Sequence, residues 1–178
     1  TIIHNPESNA NNAVGRLDVP RAAGLGCRVG LGTDGMSSAM LRALRFAFLL
    51  PRGASGDPTT GFEHVPGLLA TNVALARTWL DEPLLGRLAP EAPADLMVVD
   101  SAPPTELAAE NTFAHLVYGI SESPVRHTIA RGRIVLRDFE HTTMNPADVA
   151  AEARDAAPAL WERFRALDWG TPYLGGTA

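Results

Sequence analysis

The sequence predicts an α/β protein in three zones, and three observations predict it. Within residues 1–34 an apolar strand, a short capped helix and a second apolar strand follow one another. After residue 81 come short strand patterns punctuated by glycine and proline, and at Asn145-Pro146 a long helical pattern opens. The zones are residues 1–82, 83–144 and 145–178.

The first strand covers residues 1–4 and stops at Pro6, which has no N–H for a sheet ladder. "ESNANNAVGRLD" then reads as a polar loop. Asp18 caps a helix over 19–24, with Pro20 in its first turn. "CRVGLG" is the second strand, and strand–helix–strand order makes it parallel to the first. In "SSAMLRALRFAFLL", Met40, Leu41, Leu44, Ala47 and Phe48 recur at helical spacing, with Ser37 or Ser38 as cap. "PRGASGDPTTG" reads as a loop, and "EHVPGLLATNVALARTWL" as one or two helices with Pro66 near the start.

In the second zone Leu96 to Val99 is a strand. "HLVYGI", "RHTIARGRIVLRD" and "FEHTT" read as further short strands, with Gly132 at a hairpin corner. The third zone is a helix capped by Asn145, with Pro146 at its first position and Pro158 kinking or splitting it. "GTPYLGGTA" is a tail. Trp79, Trp161 and Trp169 read as packing or interface residues.

The composition narrows the function. The 178 residues are 46% hydrophobic and 20% charged, which marks a globular chain. A formal net charge of −5 gives no footprint for nucleic acid or an anionic membrane. No apolar run reaches transmembrane length. All 15 basic residues are arginine, so no lysine nucleophile, Schiff base or carbamylated lysine is available. Cys27 is the single cysteine, which precludes an internal disulfide and fits a reducing, cytoplasmic compartment. Its strand context suggests a buried, inert thiol.

Two stretches carry candidate chemistry. Asp34 ends "VGLGTD", and in α/β sheets and barrels sites gather at the carboxyl ends of parallel strands. A carboxylate there binds a divalent metal or moves a proton; equally, it is a turn residue in "DG" or a cap for the next helix. "HNPESN" ends the first strand, so its loop neighbours that of Asp34. His4 has the chemistry to bind substrate or metal, and Asn5, Ser8 and Asn9 to hold a ligand or build a tight turn. There is no "HxH", "HExxH", "CxxC", phosphate-binding glycine loop or "GxSxG". A (β/α)8 barrel needs about 250 residues, so two parallel strands are either part of a larger barrel or a small α/β protein of another kind.

Taken in order, "HNPESN", "VGLGTDG", "LLATNVALARTWL", "GRLAPEAPADLMVVD" and "NTFAHLVYGISESPVRHTIARGRIVLRD" resemble the C-terminal third of the amidohydrolase superfamily. The branch is that of cytosine deaminase, chlorohydrolase and adenosylhomocysteine deaminase. "RDAAPALWERF" is similar to the C-terminal helix of an aminohydrolase subgroup. Nearly the whole chain is covered in the right order.

The resemblance implies the last two βα units of an incomplete, metal-dependent (β/α)8 barrel over 1–82. It implies part of a small β-sandwich over 83–144 and a C-terminal helix and tail over 145–178. It makes Asp34 a metal ligand and proton shuttle in hydrolysis of a C–N bond, other than a peptide bond, of an aminated purine, pyrimidine or triazine-like ring. It places His4 on the substrate side, with Asn5, Ser8 and Asn9 as further substrate-binding residues. The cofactor is one divalent ion, Zn2+ or Fe2+.

The family's "H-x-H" and later histidine ligands are absent from these 178 residues. Activity is therefore expected to need a missing N-terminal barrel half or a second subunit, and the assembly to be a homo-oligomer. Apolar surface is expected near Ile2, Ile3, Val29 and Leu31. "GMSSAM" departs from the family's "G-x-x-S-N", and Glu91 stands where glycine is common, which puts that turn in question. The competing reading is a non-catalytic interaction module lacking the metal half of the fold.

Overall fold

A computed structural model describes residues 1–167; Trp169 and the "GTPYLGGTA" tail lie outside the described residues. The chain divides into two compact units, one over Thr1–Phe139 and one beginning at Glu140. The boundary anticipated at 82/83 therefore lies inside the first unit, and that anticipated at 144/145 lies just inside the second.

The first unit opens with β1 (Ile2–His4), α1 (Pro6–Asn11), α2 (Val19–Gly24) and β2 (Val29–Leu31). β1 and β2 pair in parallel, with Ile2 opposite Val29 and His4 opposite Leu31. The "ESNAN" stretch read as loop is helical. Pro6 sits in its first turn, where a missing N–H costs nothing. Asp18 caps α2 by accepting from the Arg21 N–H at 3.0 Å.

Helix α3 (Met40–Ser55) buries Ala43, Leu44, Ala47 and Phe48, a stripe at helical spacing. Neither Ser37 nor Ser38 is its N-cap; that residue is Ala39, whose N–H donates to Ser37 Oγ at 3.1 Å. The helix passes the expected stop at Pro51, which removes one hydrogen bond from the ladder, and ends at Gly56 with φ 68°. Arg52 holds that last turn: its guanidinium lies 3.8 Å from the Phe48 ring centre, and its Nε donates to Thr60 O at 2.9 Å. α4 (Pro66–Leu80) is a single helix.

β3 (Leu96–Val99), β4 (Val125–Ala130) and β5 (Arg133–Arg137) form an antiparallel meander. Arg131 and Gly132, with φ 48° and 77°, make the two-residue turn whose twist suits a hairpin. Glu91 keeps φ 66°, so the left-handed backbone that favours glycine survives the substitution of glutamate.

"HLVYGI" is not a strand. α5 (Thr112–Tyr118) and a 3-10 turn (Ile120–Glu122) occupy it. Phe113, Leu116 and Val117 recur at three- and four-residue spacing toward the core, and Asn111 Oδ1 accepts from the Ala108 N–H at 2.8 Å ahead of the helix. Phe48, fully buried, is the hub: Phe62, Phe113 and Tyr118 meet its ring edge-on at 5.0, 5.6 and 5.6 Å. Burial of such a side chain stabilises by about 1.5–3 kcal/mol.

The core joins Val29 and Leu31 to Val19 and Ala22 of α2 and to the stripe of α3, with partly buried Cys27 packed against it. Of the four residues expected to be bare, only Ile2 and Ile3 are exposed, at 37% and 46%. Val29 and Leu31 are buried because the helices cover their face.

In the second unit β6 (Glu140–His141) precedes α6 (Pro146–Arg165). Asn145 caps α6 through its side chain, and Pro158 does not split it. Trp79 and Trp161 are exposed, so neither packs in a core.

Candidate functional site at the carboxyl ends of the parallel strands

Because His4 pairs with Leu31, the loops that leave β1 and β2 start at the same level. The first returns at once as α1. The second turns through Thr33-Asp34-Gly35, where Asp34 has φ 53°. That left-handed backbone is uncommon for a residue with a side chain, though aspartate tolerates it better than most.

The turn sends the Asp34 carboxylate back toward α1. Ser8 Oγ donates to Asp34 Oδ2 at 2.8 Å, and Asn12 Nδ2 donates to Ser8 Oγ at 3.2 Å. Ser8 itself is 3% exposed, so the hydroxyl is held in place. Asp34 does not cap α3, and its side chain is exposed on the remaining side.

Asn5 lies on the strand face that Ile3, Gly30 and Gly32 share, beside Gly32. A Cβ on Gly32 would lie 2.1 Å from Asn5 Oδ1, so the glycine makes room for the amide. Asn5 precedes α1 without capping it through its side chain.

His4 and Asn9 are not part of that group. Alternation along β1 turns His4 to the face of Val29 and Leu31, beneath the helices. There His4 is 3% exposed and lines a cavity of about 360 Å3 with Pro6, Asn9, Arg16, Leu50 and Ala54. Its Nδ1 has no hydrogen-bond partner among the described residues. Burial, and secondarily the Arg16 charge, lower its pKa below the ordinary 6.5, so the ring is neutral near pH 7.

Two further residues shape the site. Glu7, 5% exposed, pairs with Arg42 at 2.5 Å and ties α1 to the first turn of α3. Asn72 of α4 grips β2: its Oδ1 accepts from the Leu31 N–H at 2.9 Å and its Nδ2 donates to Leu31 O at 2.8 Å. A lone asparagine within the apolar run "LLATNVALA" is the sequence signal for it.

Among the described residues no three His, Cys, Asp or Glu side chains converge, and a catalytic zinc site takes three protein ligands. These residues therefore do not enclose an ion unaided; Asp34 offers one carboxylate. No helix among them is long and apolar enough to cross a membrane.

Comparison with known proteins bears on the family and the fold. The sequence pattern of the amidohydrolase family matches residues 1–135. The 5-methylthioadenosine/S-adenosylhomocysteine deaminase of Nitratidesulfovibrio vulgaris is 34% identical over 159 residues, covering 86% of this chain and 36% of that protein. The enzyme of the same name from Haloarcula marismortui is 31% identical, covering 91% of this chain and 38% of its own length. The chain thus spans little more than a third of these curated relatives.

Among solved structures, a zinc-bound adenosine deaminase from Xanthomonas campestris superposes with a TM-score of 0.70 at 24% identity, over 90% of this chain and 37% of that one. Atrazine chlorohydrolase from Arthrobacter aurescens, complexed with zinc, gives 0.64 at 19% identity, over 87% and 35%. At such identities these two speak for the fold. With the match over residues 1–135, the chain belongs to the amidohydrolase family.

Proposed function

We propose that this chain is the C-terminal part of a metal-dependent hydrolase that removes an amino group from an aminated heterocycle, and that Asp34 is its acid–base residue and one of its metal ligands. The names of the curated relatives make an adenine-bearing nucleoside the first substrate to test. Residues 1–82 are then the last two βα units of a (β/α)8 barrel, residues 83–144 part of a β-sandwich, and residues 145–178 a C-terminal helix and tail. The remaining ligands and barrel strands come from outside these residues, on a further segment or a second subunit of a homo-oligomer.

One observation carries the reading: the Asp34 carboxylate stands at the carboxyl end of β2, one oxygen held by Ser8 and its other side exposed. When bound, the divalent ion, Zn2+ or Fe2+, supplies a Lewis acid that brings the pKa of its water from 15.7 to about 7. Asp34 takes a proton from the attacking water and returns it to the leaving nitrogen. The ring carbon gains the oxygen, its C–N bond breaks, and ammonia departs. Ser8 fixes the direction of the carboxylate through this exchange. Asn5, on the same strand face as Gly32, then hydrogen-bonds the ring. His4 and Asn9 support the substrate side from beneath, through β1 and α1.

The test uses the full-length polypeptide. It is expected to hold about one divalent ion per chain and to release ammonia from an adenine nucleoside. Asp34→Asn is expected to abolish ammonia release and to weaken metal retention. Full metal content with unchanged turnover in that variant refutes the assignment.

A further inference from the structure

We infer that Asn12 is a positioning residue for Asp34: acting through Ser8, its side-chain amide commits the serine hydrogen to the carboxylate and so fixes the direction in which Asp34 faces. The inference deepens the proposed function and rests on the reading of Asp34 as a metal ligand.

A carboxylate that binds a metal is deprotonated and only accepts hydrogen bonds. Ser8 Oγ, 2.8 Å from Asp34 Oδ2, must therefore donate its one hydrogen there. The hydroxyl is left with lone pairs, and the group that meets them must be a donor. Asn12 Nδ2 is that donor, at 3.2 Å. Asn12 Oδ1 in turn accepts from Asn11 Nδ2 at 3.2 Å. Every hydrogen along Asn11, Asn12 and Ser8 thus points toward Asp34, and bonds linked in one direction polarise one another.

Helix α1 builds this relay. Ser8 and Asn12 are four residues apart, the spacing that stacks two side chains on one helix face. The Asn12 N–H donates to Ser8 O at 2.9 Å. The start of α1 is anchored, since Pro6, Glu7 and Ser8 are buried and Glu7 pairs with Arg42 of α3. Asn12, Ser8 and Asp34 all lie at the carboxyl ends of β1 and β2 and use neither strand's outer edge. Strands added beyond either edge leave the relay in place.

A hydroxyl on a fixed Cβ still turns its hydrogen. Asn12 removes that freedom, because an amide NH2 has nothing to accept with. Asn12 is exposed, so water replaces it when it is cut back, and water accepts as readily as it donates. The Ser8 hydrogen then divides its time between water and Asp34. The left-handed backbone of Asp34, φ 53°, persists only where its surroundings hold it. A carboxylate held less firmly binds its ion less tightly.

The experiment measures Zn2+ affinity of the full-length apoprotein by chelator competition, with Zn2+ alone as probe, and the visible absorption of the Co2+-loaded protein. Asn12→Leu keeps the volume and removes the amide. It is expected to weaken Zn2+ binding about tenfold, the low end of the range seen when residues supporting metal ligands are changed, since water takes up part of the lost bond. Asn12→Asp keeps the shape and turns the donor into an acceptor. It is expected to weaken Zn2+ binding further, because it competes for the Ser8 hydrogen, although its charge alone would attract a cation. In both variants the Co2+ bands are expected to change and kcat to fall, while KM stays within about twofold.

In a Ser8→Ala background the relay is already lost, so Asn12→Leu is expected to change Zn2+ affinity there by less than about twofold. Asp18→Ala, which removes the cap of α2, is expected to lower the melting temperature without changing Zn2+ affinity or the Co2+ bands. Parental affinity and Co2+ bands in both Asn12→Leu and Asn12→Asp, with Asp34→Asn still impaired, overturn the positioning role alone. An undiminished effect of Asn12→Leu in the absence of Ser8 overturns it as well. Parental affinity in Asp34→Asn overturns the ligand reading and this inference with it.

Discussion

Replacing Gly32 by alanine tests the packing that brings the two loops together. The new methyl would lie 2.1 Å from Asn5 Oδ1 and 2.7 Å from Ile3 Cγ2, whereas non-bonded carbons settle at about 3.5–4.0 Å. The Asn5 amide must withdraw by more than about 1 Å, and the Ile3 methyl by about 1 Å. Gly32 has no left-handed φ, so backbone strain adds nothing and the cost is steric. Overpacking of this kind costs about 1–3 kcal/mol.

The two obstacles differ in kind. Ile3 is 46% exposed and free to yield; Asn5 is hemmed in between β1 and α1. Asn5→Ala removes the closer one, so Gly32→Ala is expected to cost less than about 1 kcal/mol in that background, a coupling within the range seen for residues in contact. The assay is urea unfolding of all four proteins, read as midpoints at constant m-value. A cost below about 0.5 kcal/mol for Gly32→Ala, or strict additivity with Asn5→Ala, refutes the reasoning.

Two further outcomes follow from the same geometry. Burial lowers the His4 pKa in the folded state, so below pH 6.5 the unfolded chain takes up the proton more readily than the folded one. Its contribution is therefore intact above pH 6.5 and lost as pH falls below it, with a slope of up to about 1.4 kcal/mol per pH unit for one proton. His4→Leu is expected to remove that slope from urea midpoints taken across pH 5 to 8, and an unchanged pH profile refutes it. Arg42→Met leaves the Glu7 carboxylate buried without its cation. Because Arg42 is 56% exposed, solvent screens the pair and the loss is expected at about 1–2 kcal/mol, most of it regained in Glu7→Gln/Arg42→Met. Equal stability of the single and double variants counts against it.

The parallel pair, α2 and the β4–β5 hairpin were legible because local chemistry dictates them: Asp18 caps, Gly132 turns, and the apolar runs are unbroken. The neighbouring of the "HNPESN" and "GTD" loops was legible too, since parallel strands put both at one end. "HLVYGI" misled because a short apolar run fits either period, and only its docking against Phe48 decides for the helix. Pro51 misled because a proline stops a helix only where nothing else holds the turn, and Arg52 holds this one. The turning of His4 away from Asn5 follows from strand alternation, but the face that looks inward is fixed by where α2 and α3 pack. The role of Asn72 is not legible in the sequence because its partner is a backbone peptide 41 residues away.

The ring of Phe48 also governs how this protein can be recombined. Phe62, Phe113 and Tyr118 all meet it edge-on, so residues 112–118 travel with α3 although the sheet lies before and after them. A chimera joined near Leu80 would strip the phenylalanine of two neighbours and bare an aromatic face to water. A crossover beyond Phe139, where the first unit ends, leaves that enclosure whole and is the seam at which homologous genes should exchange parts.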